Sequence, residues 1–301
     1  MSSTRLSSRG LAAGAAAFTI WGLFPVYLHP LSPVPAVQII AHRITWSCLF
    51  LLIVLLVRRE LGGLTTVLVR PRLLAGLVAS ALLISANWLV YVWSVTHQHI
   101  VESSLGYYIN PLVNVLLGVL VLRERPNAVQ WSAIALAALA VVYLAVEAGR
   151  PPWIAFALAT SFSLYGFVRK VISVDALPGL AIETLLLLPF ALGLLAWSEA
   201  AHIAAFGHDG PGITALLLGS GVVTAVPLFL FAYGARRLPY STVGVLQYIG
   251  PSLQLACGVL FFGEGFGSAR AAGFGLLWAA LILYAADGVW RARTPARAAT
   301  E

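Results

Sequence analysis

The chain has 301 residues, 60% of them hydrophobic and only 10% charged, with a formal net charge of +7. A soluble domain carries about 25% charged residues, so this composition excludes an ordinary soluble enzyme or nucleic-acid binder and points to a polytopic membrane protein. Cys48 and Cys257 both lie in apolar runs and form neither a disulfide framework nor a CxxC metal motif.

Apolar runs of about 20 residues cross a bilayer as helices. The spacing predicts ten, at 10–29, 36–57, 73–94, 101–122, 127–147, 152–169, 178–198, 213–235, 241–262 and 268–290. Span 1 follows Arg5 and Arg9 and resembles a signal core, but it is longer than one and nine spans follow, so it is read as a helix. It holds Thr19, Trp21 and Pro25. Span 2 sets His42 and Arg43 side by side in an otherwise apolar run. An arginine there costs about 2.5–3.5 kcal/mol on insertion scales, so its charge must be compensated or used. Span 3 carries Asn87, Trp88 and Tyr91. Span 4 carries Tyr107, Tyr108, Asn110, Pro111 and Asn114, of which 107, 110, 111 and 114 share a helical face. Span 6 offers Ser161, Ser163 and Tyr165. Span 7 holds Glu183, the one acid clearly within a span, and Pro189. Span 8 holds Pro227, and span 9 holds Gln247, Tyr248, Pro251 and Gln254.

Fifteen of the eighteen Arg and Lys residues fall in the tails and in alternate connections. Only Arg150 and Arg270 lie on the other side, and Arg43 lies within a span. The positive-inside rule then places both termini in the cytoplasm of a cell inner (plasma) membrane protein.

A shift of 140 residues brings Tyr108-Ile109-x-Pro111 onto Tyr248-Ile249-x-Pro251, Gly118-Val119-Leu120 onto Gly258-Val259-Leu260, and Glu124 onto Glu264. It also brings Ser80 onto Ser220 and Arg43 onto Glu183. The expected fold class is therefore an all-α integral membrane protein, with ten transmembrane helices as two inverted five-helix repeats. A first repeat at 10–147 and a second at 152–290 lie between cytoplasmic tails at 1–9 and 291–301. Five spans per half is odd, so the second half enters the membrane inverted. Inverted repeats place a binding site near the midplane, where rocking exposes it to either side.

The segments "WGLFPVYLH", "AHRITWS", "NWLVYVWSV", "ESSLGYYINPLVNVLLGVLVLRER", "YGFVRK", "IETLLLLPFAL", "VVTAVPLFLFAYGARRL" and "STVGVLQYIGPSL" resemble RarD-type EamA-domain members of the drug/metabolite transporter superfamily. The resemblance covers about residues 10–285. It implies a central cavity and export of small metabolites, amino acids or drugs, with chloramphenicol among the suspected ones. YddG-like amino-acid exporters share that superfamily. One departure is Gly265 after Glu264, where relatives often carry proline.

The function expected is export of small metabolites such as amino acids, aromatic or amphipathic ones included, or drugs, by alternating access. An uncoupled uniporter or channel-like facilitator, and a polytopic membrane enzyme, are the alternatives. Without HExxH, GxSxG or clustered carboxylates within the spans, the chain is not read as an enzyme; His97-x-His99 is read as polar capping of an outer loop. The expected substrate-binding residues are Arg43, His42, Trp88, Asn87, Tyr107, Asn110, Asn114, Tyr165, Gln247 and Tyr248. Pro25, Pro111 and Pro251 are candidate hinges and Glu183 a candidate coupling group. The expected partners are a small-molecule substrate and the lipid bilayer, without nucleic acid, cofactor or metal, and the protein is expected to act as a monomer. The bland alternative for Arg43 is a brace that bonds a kinked helix, and for the amides and phenols it is helix-to-helix bonding.

Overall fold

The computed structural model describes residues 8–123, 126–172, 174–235, 237–238 and 246–293. Glu124, Arg125, Arg5, Arg236, Arg297 and the first five residues of span 9 fall outside the described residues. All described secondary structure is helical. We label the helices α1 (Ser8–Gly22), α2 (Phe24–Leu28), α3 (Ala36–Val57), α4 (Gly62–Leu68), α5 (Pro71–Thr96), α6 (Ile100–Leu122), α7 (Ala128–Ala148), α8 (Trp153–Val171), α9 (Ala176–Ala200), α10 (Pro211–Ala235), α11 (Ile249–Ala256) and α12 (Ser268–Arg293).

Every predicted span has a helical counterpart. Among the described residues seven helices are long and apolar enough to cross a membrane, or eight if the α1–α2 pair counts as one span; α8 and α11 with its extension to Phe261 are shorter. Span 1 is not one straight helix. It bends by 42° between α1 and the segment Phe24–Leu31, where Pro25 cannot donate to the preceding turn. Pro25 thus sits at a break. Pro111 lies inside an uninterrupted α6. Pro251 falls in the first turn of α11, where a missing N–H breaks no intrahelical bond. Span 9 continues past Ala256 as a π-helical turn, Cys257–Phe261. Gln247 and Tyr248 lie in the turn before α11. The connection after span 2 contains α4.

The main interhelical contacts cross between the halves of the chain: α1 with α10 and α11, α3 with α9 and α10, α5 with α8 and α9, α6 with α8 and α11, and α7 with α12. Lipid tails give apolar helix faces no hydrophobic drive to associate, so small residues that permit close backbone approach carry much of the packing. At Gly221 of α10, a Cβ would come within 2.5 Å of the Trp46 backbone of α3. One apolar core spans α3, α5, α9 and α10. A second joins α6, α7 and α12.

Candidate functional site

Helix α3 points its two unusual residues in different directions, as a 100° step requires. The His42 ring accepts a hydrogen bond from Trp46 Nε1 at 3.3 Å and stacks on Phe206 at 4.9 Å. It faces the connection between α9 and α10. Arg43 turns inward and is 6% exposed. Its Nε donates to Thr224 Oγ1 at 2.8 Å, and Thr224 in turn donates to the Ser220 carbonyl. The guanidinium carbon lies 4.4 Å from the Trp88 ring centre and 4.9 Å from that of Phe24.

Magnitudes explain how the charge is tolerated. A desolvated cation–π contact contributes about 2 kcal/mol, and a hydrogen bond from a charged donor about 1.5–3 kcal/mol. Two rings and Thr224 therefore offset an insertion cost of about 2.5–3.5 kcal/mol without a counter-ion. Among the described residues no carboxylate pairs with Arg43, and its two terminal nitrogens hydrogen-bond to no acceptor. An arginine fork matches a carboxylate in geometry and charge.

Aromatic rings continue from this point. Phe24 lies 6.2 Å from Tyr91, Tyr91 5.8 Å from Tyr107, Tyr107 6.1 Å from Phe162, and Phe162 6.1 Å from Tyr165. The Tyr91 hydroxyl is buried and, among the described residues, has no hydrogen-bond partner. Burying an unpaired hydroxyl costs about 1–3 kcal/mol, so this orphan near a guanidinium whose terminal nitrogens lack a described acceptor calls for explanation. Tyr27 is satisfied, donating to the Leu216 carbonyl of α10.

The row of rings ends at Glu183 on α9, which is 1% exposed. Its Oε1 accepts from Ser80 Oγ at 2.5 Å, and its Oε2 from the Tyr165 hydroxyl at 3.3 Å. Arg169 Nη1 lies 3.6 Å from Oε1, an ion pair slightly too long for a hydrogen bond. Arg169 also donates to the backbone carbonyls of Val174 and Asp175. Gly179 makes room for it: a Cβ there would sit 1.9 Å from Arg169 Nη1.

Arg43, Trp88 and Tyr107 thus come together, and Tyr165 and Glu183 close the far end of the row. Asn87 joins Tyr107, which donates to its Oδ1 at 3.4 Å, but its amide otherwise bonds α8 through Leu158 and Ser161. Asn110 likewise accepts from Ser163 of α8. Asn114 is exposed. Tyr248 has another aromatic partner. It stacks on Tyr108, whose hydroxyl pairs with Ser252 beside a cavity of about 360 Å³. Gln247 is half-buried in its turn, with no described hydrogen bond. The rings close over Arg43: Trp88 and Tyr91 are less than a tenth exposed. Sequence reading missed Phe24, Phe162, Thr224, Ser80 and Arg169 as members of this row. One signal was available, since Ser80 aligns with Ser220, one turn from Thr224.

A larger cavity, about 430 Å³, lies at the end of the bundle that holds Arg150 and Arg270. Three carboxylates tie the chain halves together there. Glu264 accepts from the N–H groups of Ile100 and Val101 at 2.5 and 2.8 Å, satisfying donors at the start of α6. Glu102 pairs with Arg150 and accepts from the Ile154 N–H. Glu147 pairs with Arg270. Burial pushes the Glu264 carboxyl above the ordinary carboxylate range, with the two N–H groups and Arg270 pulling the other way. His97 Nδ1 donates to the Trp93 carbonyl at 2.9 Å and lies 3.1 Å from Thr96 Oγ1, and Trp93 stacks on both His97 and His99. Among the described residues no group of three or more His, Cys, Asp or Glu side chains could hold a metal.

Comparison with known proteins places this geometry in context. Residues 8–146 match the EamA-like transporter family. The protein RarD of Streptomyces exfoliatus is 44% identical over 94% of this chain and 90% of its own length. An uncharacterised transporter of Pseudomonas aeruginosa is 44% identical over 94% of this chain and 95% of its own. A solved protein crystal structure superposes with a TM-score of 0.58 at 18% identity, covering 92% of this chain and 97% of that one. That last likeness concerns the fold alone.

Proposed function

The chain belongs to the RarD-type EamA-like transporters and is a multi-pass membrane transporter, and from that premise we propose that it exports small metabolites that pair a carboxylate with an aromatic or other apolar body. Aromatic amino acids are the leading class. The observation that carries this reading is the Arg43 guanidinium: beyond the Nε bond to Thr224 its two terminal nitrogens have no acceptor among the described residues, it is stacked by Trp88 and Phe24, and it lies near the Tyr91 hydroxyl, which has no partner among the described residues. A carboxylate entering here satisfies both terminal nitrogens, and the ring row accepts the apolar body.

The proposal includes alternating access between ten spans in two inverted repeats, with both termini cytoplasmic in the inner membrane. The packing pattern supports it. Replacing each helix by its counterpart five spans along turns the α1–α10 contact into α8–α5, α1–α11 into α8–α6, and α3–α10 into α9–α5. The α3–α9, α6–α11 and α7–α12 contacts map onto themselves. This set of main contacts between the halves is therefore unchanged, as a two-fold relation requires. Arg43 bonds α10 while its counterpart Glu183 bonds α5, which is the counterpart of α10. Cysteine labelling from outside at Ala204 but not at Ala292 is the topological expectation.

Counterflow on purified protein in liposomes tests the substrate class. Labelled L-phenylalanine and L-tryptophan are compared with chloramphenicol, which is aromatic but lacks a carboxylate. Arg43→Lys loses the fork, and Arg43→Gln loses the charge. The expected result is a larger loss for the amino acids than for chloramphenicol in both variants. Equal losses, accompanied by a lower melting temperature, would make Arg43 a brace.

A further inference from the structure

Glu183 is a carboxylate within a span, and its surroundings are organised around its charge. Ser80 reaches it from α5, Tyr165 and Arg169 from α8. Cys48 of α3 faces the neighbouring Thr184. Helix α4, which also packs on α9, brings no titratable side chain. The only charged partner of Glu183 among the described residues is therefore Arg169.

That partner is loosely held. At 3.6 Å it forms no hydrogen bond with the carboxylate, and its Nη1 is buried without a hydrogen-bond acceptor. Its Nη2 reaches the carbonyls of Val174 and Asp175, at the end of α8 near the arginine-rich connections. Arg169 is 14% exposed against 1% for Glu183, so it is the member of the pair nearer water. When Arg169 swings outward, Glu183 loses its counter-ion and gains access to water in the same movement. A carboxylate left buried without a counter-ion takes up a proton.

We propose that Glu183 binds the coupling proton for transport, and that Arg169 holds it charged and shut off from water until that end of the bundle opens. The proton adds to one carboxylate oxygen when Arg169 leaves, and it departs when the ion pair re-forms. A metal cation fits less well, because Arg169 already supplies a positive charge and only two hydroxyls accompany the carboxylate. This inference extends the transport reading above but does not depend on the substrate's carboxylate.

The test uses proteoliposomes and whichever of phenylalanine, tryptophan or chloramphenicol shows wild-type counterflow, so a wrong substrate class leaves it intact. Counterflow needs no driving ion, whereas accumulation against a gradient does. Glu183→Gln is expected to lose accumulation driven by a pH gradient to a far greater extent than it loses counterflow. Glu183→Asp is expected to keep driven accumulation with a displaced pH profile. Infrared titration of the purified protein supplies a substrate-free readout: a protonated-carboxyl band present in wild type is absent in Glu183→Gln. Undiminished pH-driven accumulation by Glu183→Gln overturns the proposal. So does accumulation driven by a sodium gradient alone, or loss of counterflow in both Glu183 variants at normal folded yield.

Discussion

Arg43 and Glu183 stand 140 residues apart, on helices that pack against each other, yet their surroundings are opposite. Among the described residues Arg43 has one hydrogen bond and two aromatic faces, and its terminal donors meet no acceptor. Glu183 has two hydroxyls and a guanidinium. A buried group with spare capacity suits an external partner. A buried group already satisfied suits an internal exchange, in which one partner leaves as another arrives.

Removing a partner from each site separates the two cases, and the largest effect is expected at Glu183. Arg169→Ala strands a buried carboxylate, which costs about 3–5 kcal/mol when only one member of a buried pair is removed. Thermal melting at neutral pH should fall steeply, and Glu183→Gln in the same chain should restore most of the loss. If the double variant melts no higher than Arg169→Ala, the pair is not the source of the effect. Arg43→Gln should cost less stability, because it removes a single hydrogen bond to Thr224 and the stacking. Its main effect should be on carboxylate transport, by about 1.5–3 kcal/mol for a lost charged hydrogen bond, or roughly 10–100-fold.

Gly179→Ala sharpens the comparison without touching either charge. Its Cβ would collide with Arg169 Nη1, and overpacking of this kind costs about 1–3 kcal/mol. It should reproduce the Arg169→Ala loss of stability in weaker form and leave phenylalanine counterflow per folded molecule unchanged. The smallest effect concerns Glu264 at the far end. Its raised pKa means that the stability it contributes is complete below the usual carboxylate range and is lost as pH rises through the raised value. Wild-type melting temperature should therefore drop more between acid and neutral pH than that of Glu264→Gln, and identical pH slopes would contradict this.

The helical fold was legible because long apolar runs have few other solutions in a bilayer. The break after Gly22 was marked by Pro25, whereas Pro111 looked equivalent and left its helix intact. Hydropathy registers where a proline falls but not which neighbouring helix supports the turn it weakens. Arg43, Trp88 and Tyr107 were legible as rare polar or aromatic residues in apolar runs. Phe24 and Phe162 were not, because a phenylalanine in a membrane helix carries no signal of its own. Arg169 was hidden for a different reason. Near a helix end it reads as a topological charge, and only the return of the chain from α8 into α9 brings it within 3.6 Å of Glu183. Asn110 and Tyr248 show the converse: their chemistry suits a binding site, but they are engaged with Ser163 and Tyr108.

Carboxylate recognition by Arg43 is tested most directly by equilibrium binding of labelled L-phenylalanine and of chloramphenicol to the purified wild-type protein, Arg43→Lys and Arg43→Gln. The expected result is phenylalanine affinity reduced roughly 10–100-fold in both variants, with chloramphenicol affinity changed much less and the folded yield preserved. Phenylalanine binding that survives both substitutions, or falls in step with chloramphenicol binding, would contradict it.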